Sequence, residues 1–151
     1  MEGNAFAAIA GNLPAIPAEM RQKIDRLEQV MLSLPQFEIE PKHYFADGLY
    51  AREIFVPKGT TLTGKIHKTE HLNIISQGDI SVMTEHGIKR IKAPYTMVSK
   101  PGTKRVGYAH EDTVWTTIHA SPERDLDKLE ALLIAPTYDE LIEQKESLCL
   151  G

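Results

Sequence analysis

The middle of the chain, residues 41–120, alternates apolar and polar residues with a period of two, in short segments separated by Gly, Pro and Asp. Successive side chains of a β-strand point to opposite faces, so this alternation predicts half-buried strands joined by tight turns. The predicted strands are Leu49–Val56, Thr60–His67, His71–Ser76, Ile80–Thr84, Lys89–Ile91, Tyr95–Ser99, Lys104–Tyr108 and Val114–His119. Eight short strands at a spacing of about ten residues favour a mainly β sandwich or double-stranded jelly roll.

Both ends of the chain have the three-and-four spacing of amphipathic helices. The N-terminal helix is predicted over residues 18–34, between Pro17 and Pro35. In the C-terminal segment Ser121 and Pro122 form a helix-start signal, and a capping box at Thr137 predicts a second short helix there. A chain of 151 residues has the size of one domain. We therefore expect an N-terminal arm and helix (1–40), a barrel (41–120) and a C-terminal helical tail (121–151).

One stretch within the predicted strands has a diagnostic spacing, defined by Gly59, Lys65, His67, His71 and Gly78. It resembles the first motif of the cupin superfamily, which is Gly, five residues, His-x-His, three or four residues, Glu, six residues, Gly. Every interval fits. Lys65 stands where the family has its first ligand histidine, and His71 stands where the family has its ligand glutamate. The resemblance implies a double-stranded β-helix, the cupin jelly roll, with the motif side chains pointing into the barrel.

The second cupin motif is Gly, five residues, Pro-x-Gly, two residues, His, three residues, Asn. The best register anchors on Gly102 and puts Pro94 at the first Gly, Lys100 at the Pro, Arg105 at the His and Ala109 at the Asn. Only one marker residue matches. A guanidinium cannot ligate a cation, so the resemblance implies that the fourth family ligand is absent.

Period-two alternation predicts that Lys65, His67 and His71 converge inside the barrel. His67 and His71 are candidate ligands for one divalent transition metal ion, Fe, Mn, Ni or Zn, although durable sites normally have three protein ligands or more. They are equally candidates for contact to a bound anion, or for ordinary interior histidines. With Lys65 and Arg105 at ligand positions, the site suits a small anion at least as well as a metal.

Further residues have open roles on sequence grounds. Arg52 either lines the same cavity or lies on the surface. Tyr108 and Trp115 either pack in the core or form an aromatic wall against a ligand. His119 shares a strand face with Trp115, which leaves its role undecided, and His110 is predicted to be a surface residue in a turn.

The charge distribution favours a small anionic partner. Residues 41–120 carry seven acidic and eleven basic residues, whereas both ends are acidic and the net charge is −4. A central pocket able to hold an anion, ends that pack on a basic middle, or an ordinary solvated surface would account for this pattern. Nucleic acid is not expected as a partner, because no basic run is longer than Lys89-Arg90.

The sequence predicts a cytoplasmic location and no membrane partner. No run approaches the roughly 18 apolar residues of a transmembrane helix. The short apolar segment Ala5–Ala10 lacks a basic flank, which disfavours a signal peptide. The single cysteine, Cys149, allows neither an internal disulfide nor a cysteine-based zinc cluster.

Three functions remain open. The block from Gly59 to His119 is similar to small cupin-like proteins encoded by tailed bacteriophages. That resemblance implies a non-enzymatic oligomeric module that binds a small anionic ligand or acts as a phage accessory or virion component, in the host cytoplasm or virion. The alternatives are a metal-dependent cupin enzyme, a dioxygenase or isomerase using His67 and His71, and a metal-free epimerase-like jelly roll with His67 as general base, assisted by Lys65 or Tyr108.

A homo-oligomer, a dimer or higher, is expected in each case, because the terminal helices carry apolar stripes that one small barrel need not cover. Phage structural proteins are further candidate partners under the first function. The sequence contains no Gly-x-Ser-x-Gly nucleophile motif and no glycine-rich phosphate loop.

Overall fold

The computed structural model describes residues 18–33, 38–84, 86–137 and Glu140. Two helices lie in these ranges, α1 (Ala18–Leu32) and α2 (Leu126–Leu133). The strands are β1 (Lys42–Ala46), β2 (Leu49–Val56), β3 (Thr61–Thr63), β4 (Ile66–His67), β5 (His71–Gln77), β6 (Asp79–Thr84), β7 (Gly87–Lys92), β8 (Tyr95–Ser99), β9 (Val106–Ala109), β10 (Thr113–Ala120) and β11 (Ile134–Ala135). No described helix is long and apolar enough to span a membrane.

The strands form two facing antiparallel sheets and one short pair. The five-stranded sheet has the order β1-β2-β10-β5-β8, the four-stranded sheet has the order β3-β9-β6-β7, and β11 pairs with β4. Every neighbouring pair is antiparallel. Strands distant in sequence are neighbours in the sheet, as in Greek-key and jelly-roll folds. The predicted mainly β jelly roll is therefore confirmed.

Two strand predictions need correction. The predicted strand Thr60–His67 is two strands, because the chain leaves the four-stranded sheet at Gly64, whose N–H donates to Arg105 O (2.7 Å), and then pairs with β11 as β4. Strand β1 is absent from the sequence prediction. It forms a hairpin with β2 around the predicted turn at Asp47-Gly48, where Gly48 has a φ of 72°.

The barrel interior, between the inward faces of the two sheets, has an apolar end and a polar end. Ile75 and Trp115 pack against side chains of the other sheet in a buried cluster, completed by Ile80, Val82 and Ile91. Further along the five-stranded sheet, polar side chains replace the apolar ones on the same inward face. This polar end contains Tyr50, Arg52, His71, Asn73, Ser99, Thr117 and His119. A cavity at the polar end is the consequence, because these side chains do not pack as a dry core.

The two helices cover different parts of the barrel. Helix α1 lies on the outer face of the four-stranded sheet, where Ile24 is fully buried against Val106. Helix α2 packs its Leu129 and Leu133 against Tyr50 and so lies over the polar end. The predicted amphipathic pattern is confirmed for both.

The start of helix α2 differs from the prediction. It begins after Asp125, whose carboxylate accepts the N–H of Lys128 (3.0 Å), whereas Ser121 caps only a local turn through the N–H of Glu123 (3.3 Å). The further helix predicted from Thr137 falls mostly outside the described residues. Its first capping bond, from Glu140 N–H to Thr137 Oγ1 (3.2 Å), is present.

Gly78 is expected to tolerate no side chain. Its φ is 106°, and a Cβ there would lie 2.6 Å from both Asp112 O and Thr113 Cα. Gly87 has nearly the same φ, 105°, but an added Cβ meets nothing within 4 Å. We expect Gly78→Ala to lower the free energy of unfolding by about 3 kcal/mol or more, and Gly87→Ala by about 1 kcal/mol, in urea unfolding. Equal losses in the two variants would show that the backbone contact at Gly78 is unimportant.

Candidate metal centre

Three imidazoles meet at the polar end of the barrel, those of His67, His71 and His119. The ring centroids are 4.2 Å apart for His67 and His71, 5.2 Å for His67 and His119, and 4.8 Å for His71 and His119. One nitrogen from each ring lies within 4.8 Å of the other two. Two nitrogens bound to one zinc ion at about 2.1 Å each can be at most about 4.2 Å apart, so small ring movements would suffice for joint ligation.

Strand pairing brings the three histidines together. Ile118 of β10 pairs with Leu72 of β5. Because the two strands are antiparallel, the residue after Ile118 lies beside the residue before Leu72, which places His119 next to His71 on the inward face. His67 comes from β4. The backbone of His67 is fixed by its N–H bond to Thr103 O (3.2 Å) and by the N–H of Gly102 donating to His67 O (2.8 Å).

The hydrogen-bond pattern leaves nitrogen lone pairs available for a ligand. His71 Nδ1 lies 2.9 Å from Thr69 O, so Nδ1 carries the proton and Nε2 is the free nitrogen. His67 Nδ1 and His119 Nδ1 are buried and have no hydrogen-bond partner among the described residues. A buried polar atom without a partner is costly, and metal ligation is one way to compensate it. The donor set therefore fits a metal ion, with Thr69 orienting His71.

Burial keeps all three imidazoles neutral. It lowers the pKa of His67 to about 2, and the neighbouring His71 and His119 lower this pKa further. Burial likewise lowers the pKa of His119 to about 4, with His71 adding to the effect. The pKa of His71 is lowered by burial, against the opposing effect of its bond to Thr69. Neutral imidazole is the form that binds metal ions.

The cluster opens into a cavity of about 380 Å³ between the sheets. Of the predicted ligand-binding residues, Arg52, Lys65, His67, His71 and Arg105 all line it. The cavity is therefore bordered by cationic side chains as well as by the three imidazoles. A quarter of its lining residues come from α2 and the residue that follows it.

The cationic residues occupy different parts of this cavity. Lys65 lies at its rim, because its ammonium group pairs with the carboxylate of Glu130 on α2. Arg105 lies deeper, where its Nη2 donates to Ser99 Oγ (3.3 Å). Arg52 faces inward from β2 and is close enough for its charge to lower the pKa of both His67 and His119.

Tyr108 is placed differently from the prediction that it binds ligand. On strand β9, Gly107 and Ala109 pair with the core residues Val82 and Ile80 and face the barrel interior, so Tyr108 between them faces outward, 43% exposed. Its ring contacts His110 edge-on at a centroid distance of 5.0 Å. Tyr108 therefore does not line the cavity.

A buried hydrogen-bond chain supports the cavity wall. Trp115 Nε1 donates to Asn73 Oδ1 (3.0 Å), and Asn73 Nδ2 donates to Ser99 Oγ (2.8 Å). Ser99 Oγ in turn accepts from Arg105. This chain holds the Nη2 end of the guanidinium beside Ser99. Trp115 is thus a core residue that also supports the site.

A second polar pair, His43 and Tyr50, lines the cavity near His119. Tyr50 Oη lies 2.7 Å from His43 Nδ1, and the Tyr50 ring stacks on the His119 ring at a centroid distance of 6.1 Å. Burial raises the pKa of Tyr50, so its hydroxyl stays protonated. Sequence reasoning misses this pair because it misses β1, and it leaves His119 undecided because strand neighbours are not visible in the sequence.

Comparison with known proteins adds information on the fold. No protein-family model and no curated protein matches the sequence. Among solved structures, an uncharacterised conserved protein with a double-stranded β-helix domain from Klebsiella pneumoniae aligns with a TM-score of 0.50 and 11% identity, over 61% of this chain and 84% of that chain.

Two further solved structures align slightly less well. A cupin superfamily protein from Desulfitobacterium hafniense has a TM-score of 0.49 and 8% identity, over 58% of this chain and 82% of that one. KdgF from a Halomonas species has a TM-score of 0.49 and 20% identity, over 63% of this chain and 90% of that one. The sheet topology and the Klebsiella structure together show that this chain has the double-stranded β-helix fold, the cupin jelly roll.

Proposed function

We propose that His67, His71 and His119 bind one divalent transition metal ion, and that the protein is a metal-dependent cupin acting on a small anionic ligand. The observation that carries this proposal is the cluster of three neutral, buried imidazoles with nitrogens within 4.8 Å of one another. Three protein ligands are the number found in catalytic zinc sites, and imidazole suits Fe, Ni and Zn.

Such an ion would act as a Lewis acid on a ligand oxygen or a bound water. The chain's own residues would do the rest. Arg105, held by Ser99, would bind the negative charge of the ligand, since a guanidinium pairs well with a carboxylate. The protonated Tyr50 hydroxyl on β2 would accept a hydrogen bond from His43 Nδ1 and donate its own proton to the ligand. Helix α2 would limit the access of water.

The metal-free epimerase hypothesis has little support from this geometry. A general base works best when its pKa lies near the working pH, and burial lowers the pKa of His67 to about 2. Of its proposed assistants, Lys65 is paired with Glu130 at the cavity rim and Tyr108 faces outward.

Metal-free binding of an anion is the second candidate. It is favoured by Arg52, Lys65 and Arg105 around the cavity. The neutral histidines would then contribute hydrogen bonds rather than charge. A role as a phage accessory or virion component, and a cytoplasmic or virion location, stay predictions from the sequence resemblance, because the site geometry does not bear on them.

Titration of chelator-treated protein tests the proposal. Calorimetry with Zn²⁺, Mn²⁺, Fe²⁺ or Ni²⁺ should give one equivalent bound for at least one of these ions. The Co²⁺-loaded protein should then bind acetate, followed by its visible spectrum. Arg105→Gln should weaken acetate binding at least about tenfold while leaving metal stoichiometry unchanged.

Arg90→Gln is the matched control for the acetate experiment, because Arg90 pairs with Asp79 (2.9 Å) on the other sheet. It should leave acetate binding unchanged. Acetate binding to metal-free protein, without any metal uptake, would favour the second candidate. Binding of neither metal nor acetate would contradict both.

A further inference from the structure

The outer face of the five-stranded sheet is apolar across its full width. One residue from each strand lies in a single row, since Tyr44 pairs with Ala51, Ala51 with Ile118, Ile118 with Leu72, and Leu72 with Val98. We call these five residues the apolar row. Tyr44, Leu72 and Val98 are 50%, 42% and 55% exposed. The water-facing side of an antiparallel sheet normally carries polar residues. This apolar row therefore indicates a surface that is covered in the assembled protein.

The two sheets differ in what lies outside them. The outer face of the four-stranded sheet packs against α1 and carries charged residues such as Asp79, Arg90 and Lys92. On the outer face of the five-stranded sheet, the charged residues within the strands are Lys42 and Glu53, which pair with each other across β1 and β2. Phe55 and Leu49 extend the apolar surface there, 50% and 47% exposed.

We propose that this face binds a second copy of the same chain, sheet against sheet. A two-fold symmetric interface brings a patch against itself, so a patch with net charge would repel its copy. This face has no such charge, because Lys42 and Glu53 cancel. Two sheets with apolar faces pack well at about 10 Å separation, with their strands within about 30° of each other.

The size of the face fits the same occupant. Five strands of five to eight residues, about 4.8 Å apart and with about 3.3 Å per residue, span roughly 24 Å by 22 Å. That footprint is about 500 Å², and side-chain relief brings the accessible area near the roughly 600 Å² per partner at the lower end of stable interfaces. A single docked peptide strand would leave most of the apolar row exposed. The proposal does not depend on metal binding.

Charges placed in the apolar row should separate the two copies. Light scattering at tens of micromolar should give twice the chain mass of 16.9 kDa for the wild type and 16.9 kDa for the Leu72→Lys, Val98→Lys double variant. The matched control is Ile88→Lys, Leu132→Lys, at sites that are 74% and 54% exposed elsewhere on the surface. This control should keep the wild-type mass.

Two outcomes would overturn the proposal. One is a monomeric wild type, which would mean that the face is covered from within the chain or not at all. The other is an oligomer that the double lysine variant retains, which would place the interface elsewhere. If circular dichroism shows that the lysine variant is unfolded, Leu72→Thr with Val98→Thr should still raise the dimer dissociation constant at least about tenfold.

Discussion

Replacing His119 by alanine should abolish stoichiometric metal binding. His119 supplies one of three imidazoles, and two alone rarely hold a transition metal firmly in a protein. Because changes in residues that only orient a ligand already cost 10- to 100-fold in affinity, we expect loss of a ligand to weaken binding at least about a hundredfold. Metal content after gel filtration, and calorimetric titration of the chelator-treated protein, measure this directly.

His110→Ala is the matched control for the loss of an imidazole. His110 Nε2 lies 2.7 Å from Ser81 Oγ on the outer face of the four-stranded sheet, away from the cluster. This variant should keep one equivalent of metal. His119→Gln preserves most of the side-chain volume and guards against a packing effect. If His119→Ala bound metal as tightly as the wild type, the three-histidine centre would be wrong.

The metal-free protein should lose stability as the pH falls from 7 to 5. His67 and His119 have folded-state pKa values of about 2 and about 4, below the ordinary value of 6.5. Below pH 6.5 the unfolded chain therefore binds protons that the folded chain does not. Each such imidazole lowers the free energy of unfolding by about 1.4 kcal/mol per pH unit. The two together should lower the free energy of unfolding by about 4 kcal/mol at pH 5, and His71 adds in the same direction.

Urea unfolding at a series of pH values, with chelator present, measures this slope. Between pH 6.5 and 5 the change in stability comes mainly from the histidines. Carboxylates lose their stabilising effect only in more acidic solution; the bond to Arg90, for example, lowers the pKa of Asp79 below 3.8. The His67→Asn, His119→Asn double variant should show a much flatter slope. A wild-type stability that did not change over this range would contradict the buried, neutral state of the cluster.

Local spacing in the sequence predicts one part of the site. The interval from Gly59 to Gly78 spans strands that are consecutive in the chain, so its resemblance to the cupin motif is enough to predict His67 and His71 in one cavity. The role of His119 depends on the pairing of β10 with β5, a contact between distant parts of the chain that no local pattern encodes. The third imidazole is therefore the one whose role the sequence leaves undecided.

The remaining differences concern the direction in which side chains face. Tyr108, predicted to bind ligand, lies outside the cavity, because its neighbours Gly107 and Ala109 face the barrel interior and it faces outward. The prediction that Lys65 shares an unbroken strand face with His67 is wrong. The chain leaves the sheet at Gly64, which puts Lys65 at the rim beside Glu130. Strand alternation gives a residue's face only when the strand is unbroken, because one irregular residue reverses all that follow.

The pairing of β4 with β11 has a consequence for how the site is assembled during synthesis. Ile134 pairs with His67, so one imidazole of the cluster takes part of its support from residues made 67 positions later. His71 and His119 can come together as soon as β10 joins its sheet, whereas the strand of His67, bonded to Thr103 and Gly102, gains its strand partner only when the tail docks. The three imidazoles of the proposed centre therefore reach their final arrangement only after residues 134–135 have been made. On this proposal, metal ions in the cell would meet the complete centre only in protein whose tail has docked.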